Sequence, residues 1–205
     1  MSASQKKVLI LFAHPLQHRS EINVPLFNAS KGFDHVTTVD LYAEYPNFRI
    51  DIDKEQQRLR DHDVIVFMFP LYWYSTPSLL KEWQDLVLEY GFAFGSKGKA
   101  LEGKKLLCAL TVGGSEASYC KDGFNHSGIR QVLQPLELMT ELTGMAFLAP
   151  FALFGAGTAT EEQRTIKHLQ NWRRVLVAIA ENKFDYDVAS KLSELNQSLD
   201  IVITE

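Results

Sequence analysis

Three groups of side chains in this sequence stand at spacings that suit a ligand. His14, Ser20 and Asn23 lie within ten residues of one another. Tyr72, Trp73 and Tyr74 run consecutively between Pro70 and Pro77, and Gly113-Gly114 follows Thr111-Val112. Imidazole, hydroxyl and carboxamide groups ahead of a helix make an anion site, because free backbone N–H groups gather there. Consecutive flat aromatics offer stacking area for a ring system. Paired glycines let backbone N–H groups come close to a ligand, since no side chain intervenes. The same residues also have plainer uses: Ser20 as a helix cap, the aromatics as a packed corner.

The elements that must position them follow from periodicity. Lys7 to Ala13 and Val64 to Met68 are charge-free after their first residues and read as strands buried on both faces. Val36 to Tyr42 alternates as a strand nearer the sheet edge, Leu106 to Val112 forms a fourth and Met145 to Leu148 a fifth. A helix should begin near Ser20, short or kinked because Pro25 would fall beyond its first turn. Asp53-Lys54-Glu55-Gln56 has capping-box spacing, and Thr76-Pro77 reads as an N-cap followed by proline at the first helical position. Ser78 to Tyr90 carries apolar residues at helical spacing. Ile129 to Met139 marks a helix containing Pro135 and stopped by Gly144. Thr160-Glu161-Glu162-Gln163 should cap a long final helix with Ile166, Leu169, Trp172, Leu176 and Ile179 on its buried stripe. Val188, Leu192 and Leu195 share a face, so the tail can hold one more helix.

Strands alternating with helices predict an α/β fold: a doubly wound five-stranded parallel sheet of order 2-1-3-4-5, in three αβα layers. Residues 1–183 form its domain and residues 184–205 a C-terminal tail. In that order, the loops His14–Asn23, Pro70–Ser75 and Thr111–Ser115 leave the carboxyl ends of neighbouring strands and meet in one crevice. A phosphate at one end of it and an aromatic heterocycle against Tyr72-Trp73-Tyr74 and the Gly-Gly turn describe flavin mononucleotide (FMN). No Walker A or G-x-G-x-x-G pattern is present.

Composition narrows the classes further. The chain has 205 residues, a formal net charge of −4 and no dense Lys/Arg run, which argues against a nucleic-acid partner. Its two cysteines, Cys108 and Cys120, suggest neither a disulfide framework nor a metal site, and fit a reducing cytoplasm. The N-terminal residues lead into a strand rather than a signal peptide. Leu142 to Thr160 carries no charge over 19 residues, but its glycines and Pro150 favour a strand and loop over a membrane span.

Taken together, His14-Pro15, Ser20 with Asn23, Pro70-Leu71-Tyr72-Trp73-Tyr74-Ser75 ahead of a Leu-Leu-Lys-x-Trp helix, and Thr111-x-Gly113-Gly114 resemble the flavodoxin-like NAD(P)H:quinone oxidoreductases. Leu41-Tyr42 with Tyr45-Pro46-x-Phe48, and Gly91-Phe92-Ala93, resemble within that family the ancillary subunits of glutathione-regulated potassium-efflux systems. The resemblance covers about residues 7 to 180. It implies FMN rather than FAD, with His14 and Ser20-Glu21-Ile22-Asn23 on its phosphate side. Leu71-Tyr72-Trp73-Tyr74 and Thr111-Val112-Gly113-Gly114 would flank ribityl and ring. It implies a homodimer, NAD(P)H as co-substrate and a quinone acceptor. In the quinone reductases a Tyr and a His after the Gly-Gly turn assist proton handling; Tyr119 has the matching spacing, and His126 stands one residue further on than the family His. Phe92 and Phe94 would wall the pocket. The rival reading is a regulatory flavoprotein at the cytoplasmic face of the membrane, docked on a potassium-efflux antiporter. A third is a one-electron carrier of the flavodoxin type.

Overall fold

The layering follows from alternation along the central strands. In the computed structural model, which describes residues 5–204, β1 (Val8–Phe12) sends Leu9 and Leu11 to one side of the sheet and Val8, Ile10 and Phe12 to the other. β3 (Val64–Pro70) and β4 (Lys105–Thr111) divide their apolar residues in the same way, so two cores form, one on each face. Each fully buried Val, Leu, Ile or Phe contributes about 1.5–3 kcal/mol, which is why uniformly apolar strands end up at the centre. The N-terminal residues 1–4 and the final residue of the tail lie outside the described part.

The remaining elements are α1 (Asn23–Ala29), β2 (Val36–Asp40), α2 (Leu41–Glu44), α3 (Ile52–Asp61), α4 (Ser78–Val87), α5 (Ile129–Val132), α6 (Gln134–Thr143), β5 (Ala146–Phe147), β6 (Phe151–Leu153), α7 (Arg164–Ala180), α8 (Tyr186–Lys191) and α9 (Leu199–Val202). The sheet is parallel, in the order β2-β1-β3-β4-β5, with β6 also pairing with β4. The expected order 2-1-3-4-5 is therefore the order of the fold. The fifth strand is the one departure: Ala149-Pro150 interrupts it, leaving β5 and β6 as two short stretches along β4. Among the described residues no helix is long and apolar enough to cross a membrane, and Leu142 to Thr160 resolves into the end of α6, these strands and loops.

Several helix starts differ from the sequence expectation. α1 begins at Asn23, not Ser20, after a 3-10 turn over Gln17–Arg19, so Pro25 falls in its first turn and displaces no intrahelical bond. Asp51, not Asp53, caps α3 by accepting from the Lys54 N–H at 3.1 Å. Pro77 itself stands at the N-cap of α4, and the Thr76 hydroxyl is buried without a partner. The helix ends at Val87 rather than Tyr90. β2 stops at Asp40, whose carboxylate caps α2. Pro135 splits the expected helix into α5 and α6 and sits in the first turn of the second; Gly144, at φ 72°, ends it. Thr160–Gln163 is a turn ahead of α7 rather than its capping box, and Ile166 is 59% exposed, outside the buried stripe.

The tail lies along the open edge of β5 and β6. Ala149 N–H donates to the Ala189 carbonyl at 2.9 Å and Leu195 N–H to that of Pro150 at 3.0 Å. Asn196 Oδ1 accepts from the Ala152 N–H at 2.7 Å. Phe184, Ala189, Leu195, Leu199 and Val202 join the core beneath α7.

Candidate functional site

The carboxyl ends of β1, β3 and β4 open into a cleft of about 430 Å³, lined by His14, Ser20 to Asn23, Leu71, Tyr72, Thr111 and Gly113 among others. That volume lies within the range of small-ligand sites. Of the residues singled out on sequence, His14, Ser20, Glu21, Ile22, Asn23, Leu71, Tyr72, Thr111 and Gly113 meet there.

Asn23 and Thr111 join its floor. Asn23 Nδ2 donates to Thr111 Oγ1 at 2.7 Å, both residues being buried. Asn23 Oδ1 is also buried and accepts nothing among the described residues. An unsatisfied buried acceptor costs about 1–3 kcal/mol, so this atom calls for a donor from a ligand. Thr111, having accepted from Asn23, keeps its own hydroxyl proton to donate.

His14 forms one wall. Leu16 N–H donates to His14 Nδ1 at 3.1 Å, which leaves the proton of the neutral ring on Nε2. Burial lowers the pKa of His14, against the opposing pull of the Asp40 carboxylate, so the ring acts as a neutral donor. Asp40 is engaged by the Gln17 amide at 2.9 and 3.0 Å. Ser20 Oγ lies ahead of the Ile22 N-cap yet accepts from the Val24 N–H in the first turn of α1 at 3.2 Å, and still has a proton to give. Among the described residues the N–H groups of Glu21, Ile22 and Asn23 have no partner. With α1 only seven residues long, these N–H groups and hydroxyls, rather than a helix dipole, make the anion site.

The aromatic loop is a tight turn. Tyr72 and Ser75 exchange two backbone hydrogen bonds, 3.1 and 3.0 Å, around Trp73 and Tyr74. Both central residues have positive φ, 50° and 62°, a conformation that two-residue turns normally give to Asn and Gly. Bulky side chains are held there at a cost of about 1–3 kcal/mol each. The turn leaves Trp73 93% exposed and the two flanking tyrosines about half exposed. Strain and wasted apolar surface together point to binding.

On the third loop, neither the Gly113 nor the Gly114 N–H is paired among the described residues. A Cβ at Gly113 would meet nothing within 4 Å, whereas one at Gly114 would come to 3.2 Å from the Tyr119 ring. Val112 turns away: it is buried in the core and bonds to Leu153. Tyr119 lies outside the cleft, in the wall of a larger neighbouring cavity of about 1410 Å³, tilted against Phe154 with ring centroids 5.5 Å apart. His126 is exposed, at φ 51°, with no side-chain hydrogen bond to Tyr119 among the described residues. Phe92 is buried in the core and Phe94 pairs with Tyr90, so neither walls the cleft.

Sequence reasoning missed Arg19, Ala156 and Gly157, which also line the cleft. The last two belong to the loop after β6, hidden because the fifth strand is broken at Pro150. Arg164 clamps that loop, donating to the carbonyls of Phe154 at 2.7 Å and Gly155 at 3.0 Å.

The features that remain unsatisfied, a buried acceptor, two sets of free N–H groups and exposed rings, fit a ligand with a phosphate, hydroxyls and a flat heterocycle. A family model for the flavodoxin-like fold matches residues 6–176. The chain belongs to that family. It is 47% identical over 156 residues to the glutathione-regulated potassium-efflux system ancillary protein KefG of Cronobacter sakazakii, covering 76% of this chain and 85% of the relative. The crystal structure of general stress protein 14 from Treponema denticola in complex with FMN superposes with a TM-score of 0.79 at 36% identity, covering 84% of this chain and 99% of that one. A NADPH-quinone reductase from P. pentosaceus superposes with a TM-score of 0.73 at 30% identity, covering 82% and 96%.

Proposed function

We propose that this chain is an FMN-dependent NAD(P)H:quinone oxidoreductase. The observation that carries the reading is the cleft itself: the Asn23 acceptor left without a partner among the described residues and the free Glu21–Asn23 N–H groups, with Tyr72 and Gly113 in the same lining. The family membership and the FMN-bound neighbour support it.

In this reading His14 Nε2–H, the Ser20 hydroxyl and the N–H groups of Glu21, Ile22 and Asn23 hold the phosphate. Asn23 Oδ1 would accept a hydrogen bond from the cofactor and the Thr111 hydroxyl would donate one to it. Leu71, Tyr72, Trp73 and Tyr74 would pack against the ring, and the N–H groups of Gly113 and Gly114 would be donors to it. The chemistry supplied by FMN in that position is two-electron hydride transfer from NAD(P)H to a quinone. The chain contributes orientation, donors aimed at developing negative charge, and exclusion of water. Tyr119 stands behind Gly114, in the neighbouring cavity. Trp73 and Phe124, both exposed, would offer apolar surface to a second copy of the chain.

Rapid mixing of the FMN-loaded protein with NADPH tests the assignment. Bleaching of the flavin followed by recovery on adding a quinone supports it; a flavin that stays oxidised removes it. One observation favours a second reading, the similarity to KefG: a subunit docked on a potassium-efflux antiporter at the cytoplasmic face of the membrane, with turnover secondary. Co-purification with such an antiporter, independent of NADPH, would separate the two.

A further inference from the structure

The tail is fastened to β6 through one side chain that faces two partners. Asn196 Oδ1 accepts from the Ala152 N–H at 2.7 Å, and its Nδ2 lies 3.2 Å from His168 Nδ1. Because Oδ1 is taken by a backbone donor, the other end of the amide is an NH2 group, and Nδ1 must accept from it. The imidazole is therefore held neutral with its proton on Nε2, and that N–H is buried with no partner among the described residues. His168 is 3% exposed and stacks on Phe151 with ring centroids 4.3 Å apart. A second proton would set N–H groups face to face across 3.2 Å. Turning the amide over only moves the clash to Ala152, where the backbone group is also a donor.

We propose that His168 and Asn196 form a proton-sensitive latch, closed only while the imidazole is neutral, that seats residues 193–198 of the tail against β6. Ser193, Glu194, Gln197 and Ser198 of that stretch line the larger cavity together with Ser115 and Glu116 of the Gly-Gly loop, and Gln197 donates to Glu116. Opening the latch therefore frees a wall of the cavity and leaves β1 and β3 in place. Burial alone lowers the His168 pKa, to about 4. Its neighbours Phe151 and Asn196 are uncharged; on α7, Lys167 is exposed and Arg164 is engaged by Glu162 and the loop after β6. In a released tail the ring regains its ordinary value of 6.5, so the latch is whole above that pH and weakens as pH falls towards 4. Glu194, beside Glu116, titrates in the opposite sense on the same stretch, so the two effects are separated by substitution. The latch does not depend on the flavin reading.

Hydrogen exchange in the Glu194→Gln protein, corrected for intrinsic rates, is the test. From about pH 7 to about pH 4.5, protection of the Ala152, Leu195 and Ser198 amides should fall about tenfold or more, while β1 and β3 keep theirs. His168→Asn in the same background should abolish the fall. Asn196→Asp should reverse it, because a carboxylate still accepts from Ala152 and now accepts from a protonated ring as well. The His168 midpoint, followed by NMR, should then rise above 6.5 instead of staying near 4. A flat profile in E194Q, a fall that survives H168N, or an N196D protein that follows its parent overturns the latch. So does an equal loss of protection in β1 and β3, which would make the acid effect global. Should H168N not fold, N196D alone decides.

Discussion

Asn23 and Thr111, 88 positions apart in sequence, share a buried hydrogen bond of 2.7 Å that ties the first loop to the end of β4, while the other end of the same amide is unpaired. Replacing the two partners should therefore have unequal effects. Thr111→Val strands the Asn23 amide donor and should cost the flavin-free protein about 1–3 kcal/mol in urea unfolding. Asn23→Ala removes the orphaned acceptor together with the donor and should cost less. Both should weaken FMN about tenfold or more, read by quenching of flavin fluorescence. Equal destabilisation by the two variants would contradict the contact pattern.

The aromatic turn makes the opposite trade. Trp73→Asn with Tyr74→Gly places in the turn the residues its positive φ angles favour. Relief of about 1–3 kcal/mol per residue should raise Tm by several degrees, on the scale of about 2–4 °C per kcal/mol for a chain of this size. FMN binding should weaken at the same time. A variant that gains stability and keeps full affinity would show that the strain serves something other than the ring.

Two groups at the junction of the tail with the rest of the fold titrate with opposing effects. His168 is buried under Asn196, whose amide lies 3.2 Å from its Nδ1, and burial lowers its pKa to about 4. An unfolded histidine takes up a proton below about 6.5, so the folded state loses stability as pH falls from there towards 4, by about 3 kcal/mol in full. Glu194 is displaced the other way, up to about 7, by burial first and then by Glu116. Its contribution is present below the ordinary carboxyl range and is lost as pH rises through 7. In wild type the two slopes offset each other between pH 4.5 and 6.5. Glu194→Gln should unmask a stability that climbs with pH, and His168→Asn one that falls, both read from denaturant midpoints across that interval.

Arg130 donates to the tail carbonyls of Ser190 at 2.7 Å and Leu192 at 2.5 Å while paired with Glu137 and stacked over Phe147. Arg130→Met keeps the stem and removes the donors. Amide exchange at Leu195 and Ala149, whose N–H groups bond across the tail junction, should rise about tenfold or more, whereas β1 and β3 stay protected. Uniform protection would mean that apolar packing alone holds the tail.

The fold was legible because its central strands are uniformly apolar: Val8 to Phe12, Val64 to Phe69 and Leu106 to Leu110 could only be buried on both faces. From strand order alone came the meeting of the three loops. What stayed hidden was local. Helix starts moved by up to three residues: Asp51 takes the cap expected of Asp53, and the Gln17–Arg19 turn delays the start of α1 to Asn23. Pro150 disguised the fifth strand, and with it Ala156, Gly157 and Arg164. The path of the loop after Gly114 was unreadable because it doubles back at Ser118, which accepts from the Asn125 N–H, and no periodicity records that.

A parallel sheet that ends in a short, interrupted strand invites another chain to pair with it. Here Ala189, Leu195 and Asn196 already occupy that border. A chain cut after Lys183 would leave the donors of Ala149 and Ala152 and the Pro150 carbonyl without partners, and should polymerise edge to edge rather than merely lose a ligand. In the intact protein the tail's peptide groups close that flank, so it offers no free strand for another chain to extend.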